Sequence, residues 1–389
     1  MSTVTPPVLT DEDLEPRDKD RPRELHQASN SLGVWALRIL SALLIPAIIV
    51  TVFLSFGFLK DQDANKGLQV IIAILVGTVG VWALYWATDR LISLLPDRAA
   101  AGVRPFMFVG PAMALLGFYL VYPAINTIFL SFQDAGSDEF VWLDNFETIL
   151  TESRYRIGIR NSLAWVLIVP AAAVAIGLAF ATMADKLSSR AESTSKSIIF
   201  MPMAISFVGA SVVWFFVFAF RAEGFGNQIG LLNAIKTEWF SSDAVNWWQN
   251  EPWNNLYLMV ILIWLQTGFA MVILSSAIKG VPDELLEAAR IDGANEWQVF
   301  WRIIVPSIAS TIVVVWTTIV ITVWKVFDIV WVTTGGQYDT QVIAQQMVQE
   351  FFTNRNNGVG AALAVLLFIA VIPILVINVR RFRAQEAMR

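Results

Sequence analysis

The residues of this sequence best suited to chemistry are polar side chains set inside apolar runs. Gln266 lies between Trp264 and Phe269. Thr318, Thr322 and Lys325 follow each other at i, i+4, i+7, a spacing that stacks them on one side of a helix. Asp328 comes three residues after Lys325, within its reach. Polar groups are expensive facing lipid, so they line a path, pair with one another or bond back to their own helix. For the threonines the alternative to a path is a hydroxyl bonded to the helix's own carbonyls. For Lys325 and Asp328 it is a charge pair at a helix end, or a lysine reaching for the interface. Phe269 alone reads equally well as packing. All of these groups bind; none is set up for bond-making. The chain has no cysteine, and its one histidine, His26, sits in a polar tail. That excludes thiol chemistry, histidine metal clusters and a histidine-based triad. Neither a G-x-x-x-x-G-K-S/T loop nor a G-x-G-x-x-G fingerprint occurs. No metal or cofactor is expected, and if ATP drives this protein, another chain binds it.

A second stretch has a different logic. From Gly280 to Pro306 the sequence is rich in polar residues and lies between two strongly apolar runs. Its local chemistry predicts helix, sharp turn, helix. Pro282 suits the first position of a helix, where its missing N–H would have been unpaired. Asp283 and Glu284 place negative charge at the positive end of that helix's dipole. Leu285, Ala288 and Ala289 share one face. Gly293 stands where a helix ends in a left-handed residue. Trp297, Phe300, Trp301 and Ile304 then fall on one side of a second amphipathic helix, and Pro306 opens the next apolar run. Such a hairpin also fits a pair of amphipathic helices lying on a membrane surface.

The elements that position these groups follow from composition. The 389 residues are 56% hydrophobic and 15% charged, against about 25% charged in soluble domains. This is an integral membrane protein. Its net charge of −5 and the lack of a basic stripe argue against nucleic acid as a partner. Eight spans of about 20 residues or more can be drawn, at 33–59, 68–92, 105–132, 158–184, 196–220, 254–278, 307–332 and 359–379. An even number puts both termini on one side. With that side inside, its loops carry about twice the lysine and arginine of the other set, so both termini and the 280–306 hairpin are expected in the cytoplasm. Residues 1–32 read as a solvated tail. The apolar run that follows is too long for a signal-peptide core. On the outer side, Trp239, Phe240, Trp247, Trp248 and Trp253 read as an interfacial belt or as a docking surface.

Glu287-Ala288-Ala289, then Asp292-Gly293-Ala294, then Phe300, Ile303 and Pro306, resemble the EAA loop of ABC importer permeases, in its sugar-transporter version. The resemblance extends over roughly residues 105–380. Pro111, Leu130-Ser131-Phe132 and Asn145-Phe146 look like the start of that family's core. Phe200-Met201-Pro202, Leu231-Leu232-Asn233 and Thr334-Gly335-Gly336 are similar to later segments. The run Lys325-Val326-Phe327-Asp328-Ile329-Val330, with Gly335-Gly336-Gln337-Tyr338-Asp339-Thr340, is most similar to permeases for α-glucosides.

The resemblance implies an all-α polytopic membrane protein of eight transmembrane helices. A six-helix type I ABC importer permease core would cover 105–383, with the coupling loop at 280–306. Two peripheral helices would cover 33–104, and tails 1–32 and 384–389. It implies a multi-pass subunit of the bacterial plasma (inner) membrane that carries an α-glucoside or related oligosaccharide inward without catalysing a reaction itself. The implied partners are a second permease subunit of similar fold, a cytoplasmic ABC ATPase dimer, an extracytoplasmic solute-binding protein and the lipid bilayer. Glu287 would pair with a basic residue of the ATPase, and Gly293 would permit the turn. By position, Gln266, Phe269, Thr318, Thr322 and Lys325 match places lining the sugar site of maltose-type permeases, though threonine and lysine replace the amides common there. Aromatic faces pack on sugar C–H surfaces, while amide, hydroxyl and ammonium groups bond hydroxyls. The rival reading is an ion-coupled secondary transporter, which needs carboxylates inside the membrane and paired repeats. Asp328 is the candidate carboxylate, and no repeat pair is evident.

Overall fold

A computed structural model describes residues 32–60, 65–92 and 97–386. The tail expected at 1–32, save its last residue, and residues 387–389 lie outside the described residues. The rest of the expected C-terminal tail, 384–386, continues the last helix. The described chain is helical, with one isolated bridge between Gln133 and Phe140. It divides into two compact units, Met1–Tyr122 and Pro123–Arg389.

The first unit holds α1 (Leu32–Lys60), α2 (residues 66–92) and most of α3 (residues 97–130), which the division cuts at Tyr122. Asn65 caps α2 by accepting from Gly67 N at 2.9 Å and Leu68 N at 3.3 Å. Arg104 pairs with Asp89 at 3.1 Å, and Tyr85 stacks on Phe108 with ring centres 5.6 Å apart. Phe53, Trp82, Phe106 and Tyr119 are exposed large apolar residues. In water such a surface would be costly; in lipid it is the ordinary exterior.

The second unit is built around α5 (Ser153–Asp185) and α9 (Asn254–Lys279). They cross closely because small residues meet at the crossing. A Cβ added to Gly177 of α5 would stand 2.6 Å from Ala270 Cβ and 2.9 Å from Met271 N. Helices in lipid gain no hydrophobic attraction for each other, so close backbone approach of this kind is what holds them. Trp165, Val169, Leu178, Leu262, Leu265, Leu274 and Ile319 fill the common core.

The described residues contain five helices long and apolar enough to cross a membrane, or seven if each of two bent pairs is one span. The expected count of eight is therefore not reached by this measure. The span expected at 33–59 falls on α1, a 29-residue helix that is apolar along most of its length. The bent pairs correct two spans expected to be continuous. The span expected at 196–220 begins earlier, as α6 (Ser189–Phe200). It stops in a 3-10 turn over Met201–Ala204 and restarts as α7 (Phe207–Val217) after a bend of 102°. Pro202 lacks the N–H that would continue α6. Ile205 is extended, and Ser206 caps the new helix by accepting from Gly209 N at 3.0 Å.

The span expected at 307–332 is likewise divided. Glu296–Ser307 bends by 69° into α12 (Ala309–Trp324), behind a π turn at Phe300–Ile304 and Pro306. Proline here does not start the span; the helix runs through Pro306 and bends at Ile308. The chain then leaves helix at Lys325 and resumes as α13 (Asp328–Thr333). The last helix, α15 (Asn357–Glu386), starts where Gly358 presses on the Gln133 carbonyl and on Asn145. The Asn145 amide donates to the carbonyls of Ser131 at 2.9 Å and Gln133 at 2.7 Å, which ties that corner together. Between α7 and α9 lies a short helix, α8 (Leu231–Phe240), and α14 (residues 343–354) precedes α15. Two further short helices, α4 (Asp144–Thr151) and α10 (Asp283–Ile291), complete the set with α11 (Glu296–Ser307).

Candidate functional site

Three elements meet at a pocket of about 300 Å³. Helix α9 contributes Leu265, Gln266 and Phe269. From α12 come Thr318 and Thr322, one turn apart. The broken segment between α6 and α7 contributes Met203 and Phe207. Non-helical backbone at membrane depth is tolerated where it is buried in protein or lines a cavity, and the break at Met201–Ser206 does the second. The volume is at the small end of ligand pockets, which run from about 300 to 1,000 Å³.

Gln266 is 8% exposed and its amide makes no hydrogen bond within the described chain. Its polar atoms are not among the buried atoms left without a partner, so the amide is open to the pocket and is offered to whatever occupies it. The threonines behave differently. Thr318 donates to the Val314 carbonyl at 2.8 Å and Thr322 to the Thr318 carbonyl at 3.1 Å. Their hydrogens are committed to the helix, and their oxygen lone pairs remain as acceptors. The lining thus offers one amide, two hydroxyl oxygens, two aromatic rings and two apolar side chains, and no charge. It suits a neutral, hydroxyl-bearing guest with apolar faces; an ion entering it would lose hydration without a counter-charge.

The structure brings together four of the residues singled out for a substrate path, Gln266, Phe269, Thr318 and Thr322. It does not bring Lys325 and Asp328 to them. Lys325 caps the end of α12 and is exposed, and Asp328 begins the next helix. The helix on which their pairing was expected has ended between them, and no ion pair joins them. Met203 and Phe207 were missed. Their signal was Pro202 inside the apolar run at 196–220, which was drawn as one continuous span although the proline marks an interruption.

The hairpin is the second site. Pro282 takes the N-cap position, one residue before the place expected for it, and α10 runs from Asp283 to Ile291. Gly293 has φ +83°. Around it Gly293 N donates to Arg290 O at 3.1 Å and Ala294 N to Ala289 O at 3.0 Å, the two bonds of a Schellman ending. Asn295 then caps α11 in a reciprocal pair with Gln298, each bond 2.9 Å. Arg290 pairs with Glu296 across the turn at 3.0 Å, and this neighbour pushes the guanidinium further above its already high range. So the turn is held by its own backbone, two caps and an ion pair. Leu286 and Phe300 pack inward against the core. Glu287, Ala288 and Asp292 face outward, Ala289 is half-buried, and Pro306 is exposed on α11. Ile291 at 85% and Trp297 at 70% are also exposed. Among the described residues Glu287 makes no ion pair or hydrogen bond, and its charge acts on Arg290 only at longer range. The turn therefore presents an acid without an ion pair beside exposed apolar groups.

At the opposite ends of α5 and α9 a polar loop was also missed as a structural device. Gly335, Gly336, Tyr338 and Asp339 all have left-handed backbone. Asn161 donates to the carbonyls of Asp339 at 2.7 Å and Gln341 at 2.9 Å, Asn254 to that of Tyr338 at 2.6 Å, and Asn255 to that of Asp339 at 3.1 Å. Three asparagines near the ends of two membrane helices thus hold one loop in place.

Comparison with known proteins bears on the family and the fold. Residues 173–386 match the family described as binding-protein-dependent transport system inner membrane component. An osmoprotective compounds uptake permease protein of Synechocystis is 50% identical over 283 residues, covering 73% of this chain and all of that protein. An alpha-glucoside transport system permease protein of Rhizobium meliloti is 44% identical over 329 residues, covering 80% and 97%. In fold, the chain is similar to a subunit of a bacterial ABC transporter involved in import of the acidic polysaccharide alginate. The TM-score is 0.63 and the identity 19%, with 74% of this chain and 99% of that one covered.

Proposed function

Because the chain belongs to the family of binding-protein-dependent transport system inner membrane components, we propose that it is the permease subunit of an ABC importer for an α-glucoside or a related oligosaccharide. The observation that carries the substrate class is the uncharged pocket with the free Gln266 amide. The alpha-glucoside permease similarity supports the same class. In this reading the chain supplies the path and the coupling, and a separate ATPase dimer supplies the energy. A second permease of similar fold completes the membrane part, and a binding protein delivers the sugar from outside. The excess of basic residues on one set of loops supports cytoplasmic termini and a cytoplasmic hairpin. The domain plan follows: residues 33–104 peripheral, 105–383 the permease core.

The mechanism follows from how the pocket is walled. The ATPase, on binding ATP, closes on the hairpin and shifts it as a body, because the Gly293 turn is rigid. Helix α9 leads into the hairpin and α12 leads out of it, so the shift is carried to Gln266 and Phe269 on one wall and Thr318 and Thr322 on another. Moving these walls opens the pocket to one side and closes it to the other, a two-state change biased at a remote site. Glu287, with Ala288 and Ala289 behind it, is the proposed contact to a basic residue of the ATPase. The absence of a charge in the pocket disfavours ion coupling there, and Asp328 lies outside it.

Sugar uptake by the reconstituted complex tests the site. Gln266→Ala is expected to raise KM by roughly three- to tenfold, the worth of one neutral hydrogen bond. Lys325→Ala is expected to change it less than about twofold, since the pocket ends short of it. Unaltered transport by Gln266→Ala would sink the assignment.

A further inference from the structure

Glu192 on α6 is a buried carboxylate, 9% exposed, that the pocket and the hairpin leave unused. It accepts from Lys196, one turn along its own helix. With both oxygens it also accepts from Lys279, in the last turn of α9, at 2.7 and 2.8 Å. Lys279 immediately precedes Gly280, where the chain turns into the hairpin. A second contact fixes the same two helices nearer the pocket. A Cβ on Gly268 of α9 would stand 2.4 Å from Ile199 O and 2.7 Å from Phe200 Cα of α6. The two contacts are roughly 12 Å apart along α6, at 1.5 Å per residue. One is an ion pair and the other a close backbone approach, and together they prevent α6 from sliding or rolling on α9.

What α6 leads into gives this clamp its meaning. Directly after Phe200 the chain enters the break that places Met203 and Phe207 in the pocket. We propose that Glu192 is a positioning residue that joins α6 and the hairpin end of α9 into one moving body. A displacement of the hairpin then reaches the pocket by two routes, through Gln266 and Phe269 on α9 and through Met203 and Phe207 at the break. Without the ion pair, the Gly268 contact alone is left to carry α6, which can pivot about that single point, so the Met203–Phe207 wall no longer follows the hairpin end of α9. The Lys196 contact lies within one helix and joins nothing to α9, so it has no part in this. The inference rests on the ABC importer reading but not on the identity of the sugar.

The absence of cysteine in this chain makes the motion readable. A Met203→Cys reporter in the assembled transporter is treated with a small thiol reagent, with and without a non-hydrolysable ATP analogue. With Glu192 and Lys279 intact, the nucleotide is expected to change the labelling rate about tenfold, within the ordinary range of coupling between sites. Glu192→Gln and Lys279→Met are each expected to cut that response below about twofold. Lys196→Met is expected to keep it, and Lys279→Arg, which restores charge and reach, to recover it. An unchanged response in Glu192→Gln and Lys279→Met would overturn the proposal, as would an equal loss in Lys196→Met, which would mark simple charge balance. If Glu192→Gln does not assemble, Lys279→Met and Lys279→Arg decide alone. An intact nucleotide response with no uptake of any glucoside would refute the substrate reading while leaving the clamp standing.

Discussion

Replacing Gly293 by valine is expected to lower substrate-stimulated ATP hydrolysis by at least about tenfold, while asparagine at the same position keeps most of it. A Cβ at Gly293 would meet nothing within 4 Å, so crowding is not the issue. The backbone is. At φ +83° an L-residue costs roughly 1–2 kcal/mol, and more when β-branched. Asparagine tolerates that region best after glycine. Valine relieves the strain by leaving it, and the bonds from Gly293 N and Ala294 N are then lost. The helix pair would still form on each side, since the Asn295 cap and the inward packing of Leu286 and Phe300 are untouched. What changes is the angle at which Glu287 meets its partner. Equal stimulation in the two variants, with assembly confirmed, would show that the turn plays no part in coupling.

Filling the pocket gives the second large effect. Thr318→Trp places an indole on the pocket side of α12, where the cavity is about 300 Å³ and Thr318 is exposed. Nothing in the core has to move to admit it, so the fold is expected to persist. Uptake is expected to fall by at least about a hundredfold, equivalent to roughly 2.7 kcal/mol, because the guest and the indole compete for the same space. Basal ATP hydrolysis is expected to continue. Uptake within a few-fold of the unaltered protein would mean that the sugar passes elsewhere.

The outcome at particular residues shows how far the sequence could be read. The apolar runs at 158–184, 254–278 and 359–379 correspond to helices at Ser153–Asp185, Asn254–Lys279 and Asn357–Glu386. Length and hydropathy suffice where a helix is straight. They fail at Met201–Ser206 and at Ile308, because a window average does not register a break in a run that is apolar throughout. Local chemistry was legible where the backbone itself demands a residue type: Gly293 is left-handed because only glycine enters that region freely. Pro282 was displaced by one position, since proline serves as well before the first turn as within it. Helical spacing put Thr318 and Thr322 on one face, and they do share it. The same spacing carried Lys325 along with them, but the helix ends before Lys325. Met203, Phe207 and the Glu192–Lys279 pair depend on which helices touch, and no local pattern encodes that.

The most direct test of the account measures ATP hydrolysis by the reconstituted complex, with this chain, its partner permease and the ATPase, as binding protein and an α-glucoside are added. Hydrolysis is expected to rise only when both are present, with sugar accumulating inside the vesicles in step with it. Uptake by this chain alone, driven by an ion gradient and indifferent to ATP, would contradict it and leave a secondary transporter in its place.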